Sequence, residues 1–162
     1  IDVTGSDELS DCIDCVVGKY VDVTGSDELS DCIDCMVGKY VDVTGSDELA
    51  DCIDCVAGRY IDVAGSAELT DCIGCVVGKY LEVAGSDEVG DCIECEVGTF
   101  ASFLANDEAA DCVDCQPGMY ADRTASALCT SCLAGKHLWR DKASHFSQRS
   151  FTFFYIGFTS EK

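Results

Sequence analysis

The first 135 residues contain no histidine, a single proline and only half of the ten basic residues of the chain. Each scarcity removes a class of function. An activated cysteine or serine needs a base beside it, and both histidines (His137 and His145) lie beyond the cysteines, so nucleophilic catalysis is not expected. Paired acids such as Asp31 and Asp34 recur in nearly every stretch, which suits a surface better than one cleft with two separated pKa values. No glycine-rich loop of the phosphate-cradling kind is present, so an enzyme is not expected. No run of about 20 apolar residues occurs, so no membrane span is expected. There is no Asn-x-Ser/Thr sequon either. The stretch opens at Ile1 with no secretory leader, which fits a mature or truncated chain.

Positive charge is the largest deficit. The formal charge is −21 and the isoelectric point about 4.1; 29 of the 31 acids, all but Asp141 and Glu161, precede Lys136. Binding to nucleic acid or to an anionic membrane surface is disfavoured electrostatically.

What is present is repetition. Residues 1–20 and 21–40 differ only at Ile1/Val21 and Val16/Met36, and the 20-residue period runs on to Phe100 with small changes. A fixed period of this kind signals tandem units stacked on copies of themselves. Within a unit, Tyr20-Val21-Asp22-Val23 alternates as a short half-buried strand does. Thr24-Gly25-Ser26 supplies a turn, Ser26 is placed to cap a single helical turn, and a second extended pass follows over Asp31 to Cys35. Gly18 gives the backbone a close bend three residues after Cys15. Two Val, a Leu, an Ile and a Tyr make too small a core to fold alone, so covalent or metal help is required. Residues 101–120 form a degenerate copy, in which Ala105-Asn106 replaces Gly-Ser and Asn tolerates the tight turn. Residues 121–136 form a shortened terminal copy.

Fourteen cysteines form seven C-x-x-C pairs, which leaves three readings. Two pairs 16 residues apart match a four-thiolate zinc site, although seven equivalent pairs leave one over and basic residues are scarce. Bridges from the second Cys of one unit to the first of the next would each contribute about 3 kcal/mol by loop-closure entropy. Bridges inside each C-x-x-C constrain little and suit redox chemistry.

The string Cys-x-x-Gly-x-Tyr, a loop, then Asp-Cys-x-x-Cys resembles the cysteine-rich modules of tumour necrosis factor receptors and the ephrin-receptor-like GCC2/GCC3 repeats. Cys115-Gln116-Pro117-Gly118-Met119-Tyr120 is the nearest stretch, and the resemblance extends to about Lys136. It implies the second-to-first pairing: Cys15–Cys32, Cys35–Cys52, Cys55–Cys72, Cys75–Cys92, Cys95–Cys112 and Cys115–Cys129. Cys12 and Cys132 are then left either open-ended or as links between subunits. The near-identical copies depart from the receptors, so ligand binding is not carried over.

The fold expected is therefore small, disulfide-rich, β and irregular: an elongated rod or solenoid of tandem 20-residue repeats over 1–120, the short copy over 121–136 and a basic, aromatic tail over 137–162. The stretch Phe151 to Phe158 is apolar and β-prone, and docks into a neighbouring subunit or forms an end cap. Cysteine at this density fits an oxidising, extracellular setting. Thr4, Ser6, Ser10, Thr24, Ser26, Ser30, Thr44 and Ser46 are candidates for O-linked glycans. Asp22, Asp27, Glu28 and Asp31 are candidates for weak calcium binding, with Asp22, Thr24, Ser26 and Glu28 on one side of an extended segment; the acids otherwise serve as a solvated face. The function expected is an extracellular structural protein that self-associates into a fibre, sheath or appendage. The alternatives are a receptor-like ectodomain that binds a protein, and a zinc or calcium sink.

Overall fold

A computed structural model describes residues 8–137. Residues 1–7 and 138–162, with Thr4, Ser6, Trp139, His145 and the Phe151 to Phe158 stretch, lie outside the described residues.

The described chain is a tandem array of six small antiparallel hairpins, each closed by a disulfide. The bridges run Cys15–Cys32, Cys35–Cys52, Cys55–Cys72, Cys75–Cys92, Cys95–Cys112 and Cys115–Cys129. They consume twelve of the fourteen thiols, so neither the zinc reading nor bridges inside the C-x-x-C pairs describe this fold. A unit runs from one bridged second Cys to the residue before the next, as from Cys15 to Asp34.

Each unit begins with a tight turn. Lys19 N–H donates to the Val16 carbonyl and Gly18 has a φ of +85°, the left-handed value a type II turn demands at its third residue. Strand β1 (Lys19–Tyr20) then pairs with β2 (Ile33–Asp34), Tyr20 opposite Ile33. The same ladder recurs as β3 (Lys39–Tyr40) with β4 (Ile53–Asp54), β5 (Arg59–Tyr60) with β6 (Ile73–Gly74), β7 (Lys79–Tyr80) with β8 (Ile93–Glu94), β9 (Thr99–Phe100) with β10 (Val113–Asp114) and β11 (Met119–Tyr120) with β12 (Thr130–Ser131). The ladder is shorter than the alternation from Tyr20 to Val23 predicts. After Tyr20 the chain leaves its own hairpin: Val21 N–H donates to the Ser46 carbonyl of the following unit, and Tyr20 bridges Ser46 in parallel. Val23 is exposed.

Between the strands sits one 3-10 turn, Leu29–Asp31 in the first unit. Its cap is not Ser26. The Asp31 carboxylate accepts from the Asp27 and Glu28 amides, and the Ser26 hydroxyl donates to the Val23 carbonyl. A carboxylate four residues downstream reaches back to those free amides, and the bent chain takes Ser26 away from them.

The core is smaller than the apolar inventory of a unit. In one cluster Tyr20, Val41 and the Cys35–Cys52 bridge pack together; the next repeats it with Tyr40, Ile61 and Cys55–Cys72. One ring, one aliphatic side chain and one disulfide therefore join each unit to the next. Leu29 and Ile33, expected inside, are exposed, because nothing lies beneath a lone 3-10 turn or the outer face of a two-residue ladder.

Gly18 is the node of the array. Its N–H donates to the Val41 carbonyl of the next unit and its carbonyl accepts from Cys35. A methyl group on it would collide with the Gly65 carbonyl of the unit after that. Contacts thus reach two units along the chain, further than the nearest-neighbour rule for solenoids.

Candidate assembly surfaces

The side chains that the fold leaves outside repeat as faithfully as those inside. Val23 and Ile33 share a shallow groove of about 400 Å³ with Asp22, Ser26 and Asp31 on its walls, and Val63 and Ile73 share its equivalent two units on. The turn at residues 23–25 and the 3-10 turn form its two sides, so every regular unit presents the same apolar pair. Ile33, Ile53, Ile73 and Ile93 are 45–47% exposed, and Val23, Val43, Val63 and Val83 are exposed in step. The apolar display thus repeats with the 20-residue period.

Carboxylates frame it. Asp22, Asp27 and Glu28 are exposed and Asp31 is half-buried. These four do not come together: no three His, Cys, Asp or Glu side chains among the described residues are arranged to hold a metal ion. The turn at Thr24 and Gly25 breaks the extended segment on which Asp22, Thr24, Ser26 and Glu28 were to share a side, and Asp31 is occupied by backbone amides.

Opposite charge meets at one register position. Lys19 and Lys39 lie 2.6 Å from Asp34 and Asp54, and Lys79 lies 3.3 Å from Glu94. The pairs are half-exposed, so each contributes no more than about 1 kcal/mol. The constant 15-residue offset carries that signal in the sequence. Where Gly74 replaces the acid, Arg59 donates instead to the Cys72 carbonyl, 2.8 Å away. Glu94 also accepts from Thr124, and that bond, with the bond and charge of Lys79, holds its carboxyl below the ordinary value.

The hydroxyl candidates divide. Ser10, Thr24, Ser26, Ser30 and Thr44 are exposed, with Ser30 donating to Glu28 at 2.9 Å. Ser46 is 4% exposed and its hydroxyl has no hydrogen-bond partner. A sugar on Ser46 does not fit the folded array, a correction to its sequence reading, because the parallel bridge to Tyr20 covers that position. Asn106 stands at the same place in the fifth unit and donates to the Lys79 and Phe103 carbonyls. The left-handed residue there is Ala105, φ +56°, rather than the Asn the turn chemistry points to.

Two features interrupt the regular surface. Phe103 and Leu104 are 76% and 66% exposed in the fifth unit. Cys12 is exposed and Cys132 half-buried, both outside any bridge. Among the described residues no helix is long and apolar enough to cross a membrane. Comparison with known proteins gives no matching family model and no matching curated sequence.

Proposed function

We propose that the chain is an extracellular, non-catalytic structural protein whose arrays pack side by side into a fibre or sheath. The observation that carries this reading is the Val23–Ile33 pair, displayed again at each regular unit. A partner that matches such a display unit for unit must have the same period, and a second array does. Six disulfides in 130 described residues favour an oxidising compartment. The resemblance to receptor-type and ephrin-receptor-like modules points the same way, and exposed Thr24, Thr44 and Ser30 are open to O-linked sugars. The acidic surface is unsuited to nucleic acid.

Replacing Ile33, Ile53, Ile73 and Ile93 together by Ser tests the reading. These side chains are exposed, so the array should fold with its disulfides unchanged, while sedimentation and electron microscopy should show side-by-side assembly lost. Equal assembly by the variant would refute it.

A second reading has its own observation. Phe103 and Leu104 form a local apolar anchor where the consensus breaks, as a receptor-like ectodomain would use for a protein ligand. Phe103→Ala with Leu104→Ala should abolish ligand binding under that reading and leave assembly intact under the first.

A further inference from the structure

We propose that neighbouring copies of this chain lie antiparallel, with Phe103 and Leu104 of each seated in the groove between Val63 and Ile73 of the other. The inference rests on the side-by-side reading and gives that contact its polarity and register. It starts from the units that leave the consensus. In the third unit the groove has a volume of about 390 Å³, and Ala64 and Ala67 line it. Thr24 and Thr44 stand at the first of these places in other units, and Asp27, Asp47, Asp87 and Asp107 at the second. The third groove has thus lost a carboxylate that the units around it keep. In the fifth unit the loop over the equivalent groove carries Phe103 in place of Val and Leu104 in place of Thr or Ala. Ser102 stands there where the four preceding units have an acid, and both apolar side chains are exposed.

The two departures are complementary. One removes charge and bulk from a hole, and the other removes charge from a loop while adding bulk to it. An apolar knob gains most by entering a groove where no carboxylate has to lose its water. Among the regular grooves the third meets that condition best. A second copy is the occupant because it alone carries the same period, so that one seated knob brings the neighbouring units into step.

Charge selects the orientation. Arg123 lies one unit beyond Phe103, exposed and in no ion pair among the described residues. With the fifth unit of one copy on the third of the other, an antiparallel arrangement sets the sixth unit on the second, where Asp42 and Asp47 are exposed. A two-fold axis through the fourth unit then repeats both contacts, so one pair of copies fills both grooves and pairs both arginines. Parallel copies in register would set Phe103 against Phe103 and Arg123 against Arg123. Parallel copies shifted by two units would fill one groove and leave the other knob in water. Two arginine contacts do not offset the net negative charge of the chains; they choose between orientations.

The test uses the full chain with Arg123→Lys, half of it isotopically heavy, at a salt concentration where it assembles. A zero-length carbodiimide joins amines to touching carboxylates, and mass spectrometry maps the bonds between heavy and light copies. Position 123 should be joined to Asp42 or Asp47. Two reversions, Ala67→Asp and Phe103→Val with Leu104→Thr, install residues that other units carry at those places, so the array should fold. Each should still assemble through the isoleucine rows, while the bond to Asp42 and Asp47 falls to the level of the other acids. Heavy–light bonds from position 123 to Asp107, Asp122 or Glu82 would show parallel packing and overturn the proposal. So would reversions that leave the bond unchanged. Bonds spread evenly over all units would overturn it too, and would leave Phe103 and Leu104 to a protein ligand of another kind. The underlying reading fails separately, by a chain that does not assemble at all, whereas a wrong register is read from assembled material.

Discussion

Residue 74 breaks the pattern of the array, and residue 105 supplies the reason. A methyl group on Gly65 would press on the Asp34 carboxylate, and one on Gly85 on Asp54. At the next such pair the loop carries Ala105, and Gly74 stands in the place of the facing acid; a methyl group added to Gly74 would meet the Ala105 Cβ at 3.0 Å. The two substitutions compensate in volume. Gly74→Asp alone should therefore cost about 1–3 kcal/mol by overpacking. Ala105→Gly alone should relieve about 1 kcal/mol of left-handed strain. The double variant restores the arrangement of Asp34 and Gly65 and should lose most of the first penalty. Denaturant unfolding of all four proteins with disulfides intact measures the coupling, and additive effects would show that the two sites do not touch. The following pair is solved differently, since Glu94 reaches past Ala125 to Thr124. Its depressed pKa stabilises the fold above the unfolded-state value, and that contribution is lost as pH falls through the folded value. Thr124→Ala should move the Glu94 titration, followed by carboxyl NMR, upward toward the ordinary range. An unmoved titration would leave Lys79 as the sole cause. The sequence shows each substitution but not their pairing, because the partners lie 31 positions apart and two units away.

Within one unit, the turn is legible because Cys-x-x-Gly fixes a local backbone geometry, whereas the cysteine spacing alone leaves three pairings open and only the resemblance implies the second-to-first one, which joins residues 17 positions apart. The strand length and the cap are not legible. Alternation from Tyr20 to Val23 implies a longer ladder, yet the backbone beyond Tyr20 finds its partner in Ser46, a contact no local pattern encodes. Leu29 and Ile33 look like core for the same reason, since composition cannot say that nothing lies beneath them. What remains buried is so little that the bridge carries much of the stability of a unit. Fully burying a side chain such as Ile61 contributes about 1.5–3 kcal/mol, comparable with one disulfide. Replacing Cys55 and Cys72 together by Ser should cost about 2–5 kcal/mol. The loss should be local. Amide exchange should quicken at Cys75, Gly58 and Ile61, whose bonds hold that unit to its neighbours, and much less in the unit closed by Cys115–Cys129. Uniform acceleration along the chain would instead mean that the array opens as one cooperative block.

For the molecule as a whole, the period is the controlling quantity. Deleting residues 41–60 brings Cys35 and Cys72 to the regular separation and puts Ile61 where Val41 stood. The shortened chain should then oxidise to five bridges with native-like circular dichroism, and deletion of residues 41–50 should give mixed disulfides. The side-by-side arrangement proposed above adds a constraint of sign. Two arrays that meet through the Val23–Ile33 pairs also bring together the Asp22 and Asp31 carboxylates beside them, on chains that are each strongly negative. Repulsion between such surfaces is screened over about 8 Å at physiological ionic strength and over about 30 Å at 0.01 M. Assembly should therefore be weak at low salt, strengthen as salt is added, and strengthen again as pH falls toward about 4, where exposed carboxylates take up protons. The disulfides are indifferent to both changes, so the array should stay folded while its association state moves. Light scattering across salt and pH, with circular dichroism on the same samples, separates the two effects. Association that weakened with added salt would require attraction between opposite charges, and would move the contact from the acid-framed apolar rows to the basic residues that follow Lys136.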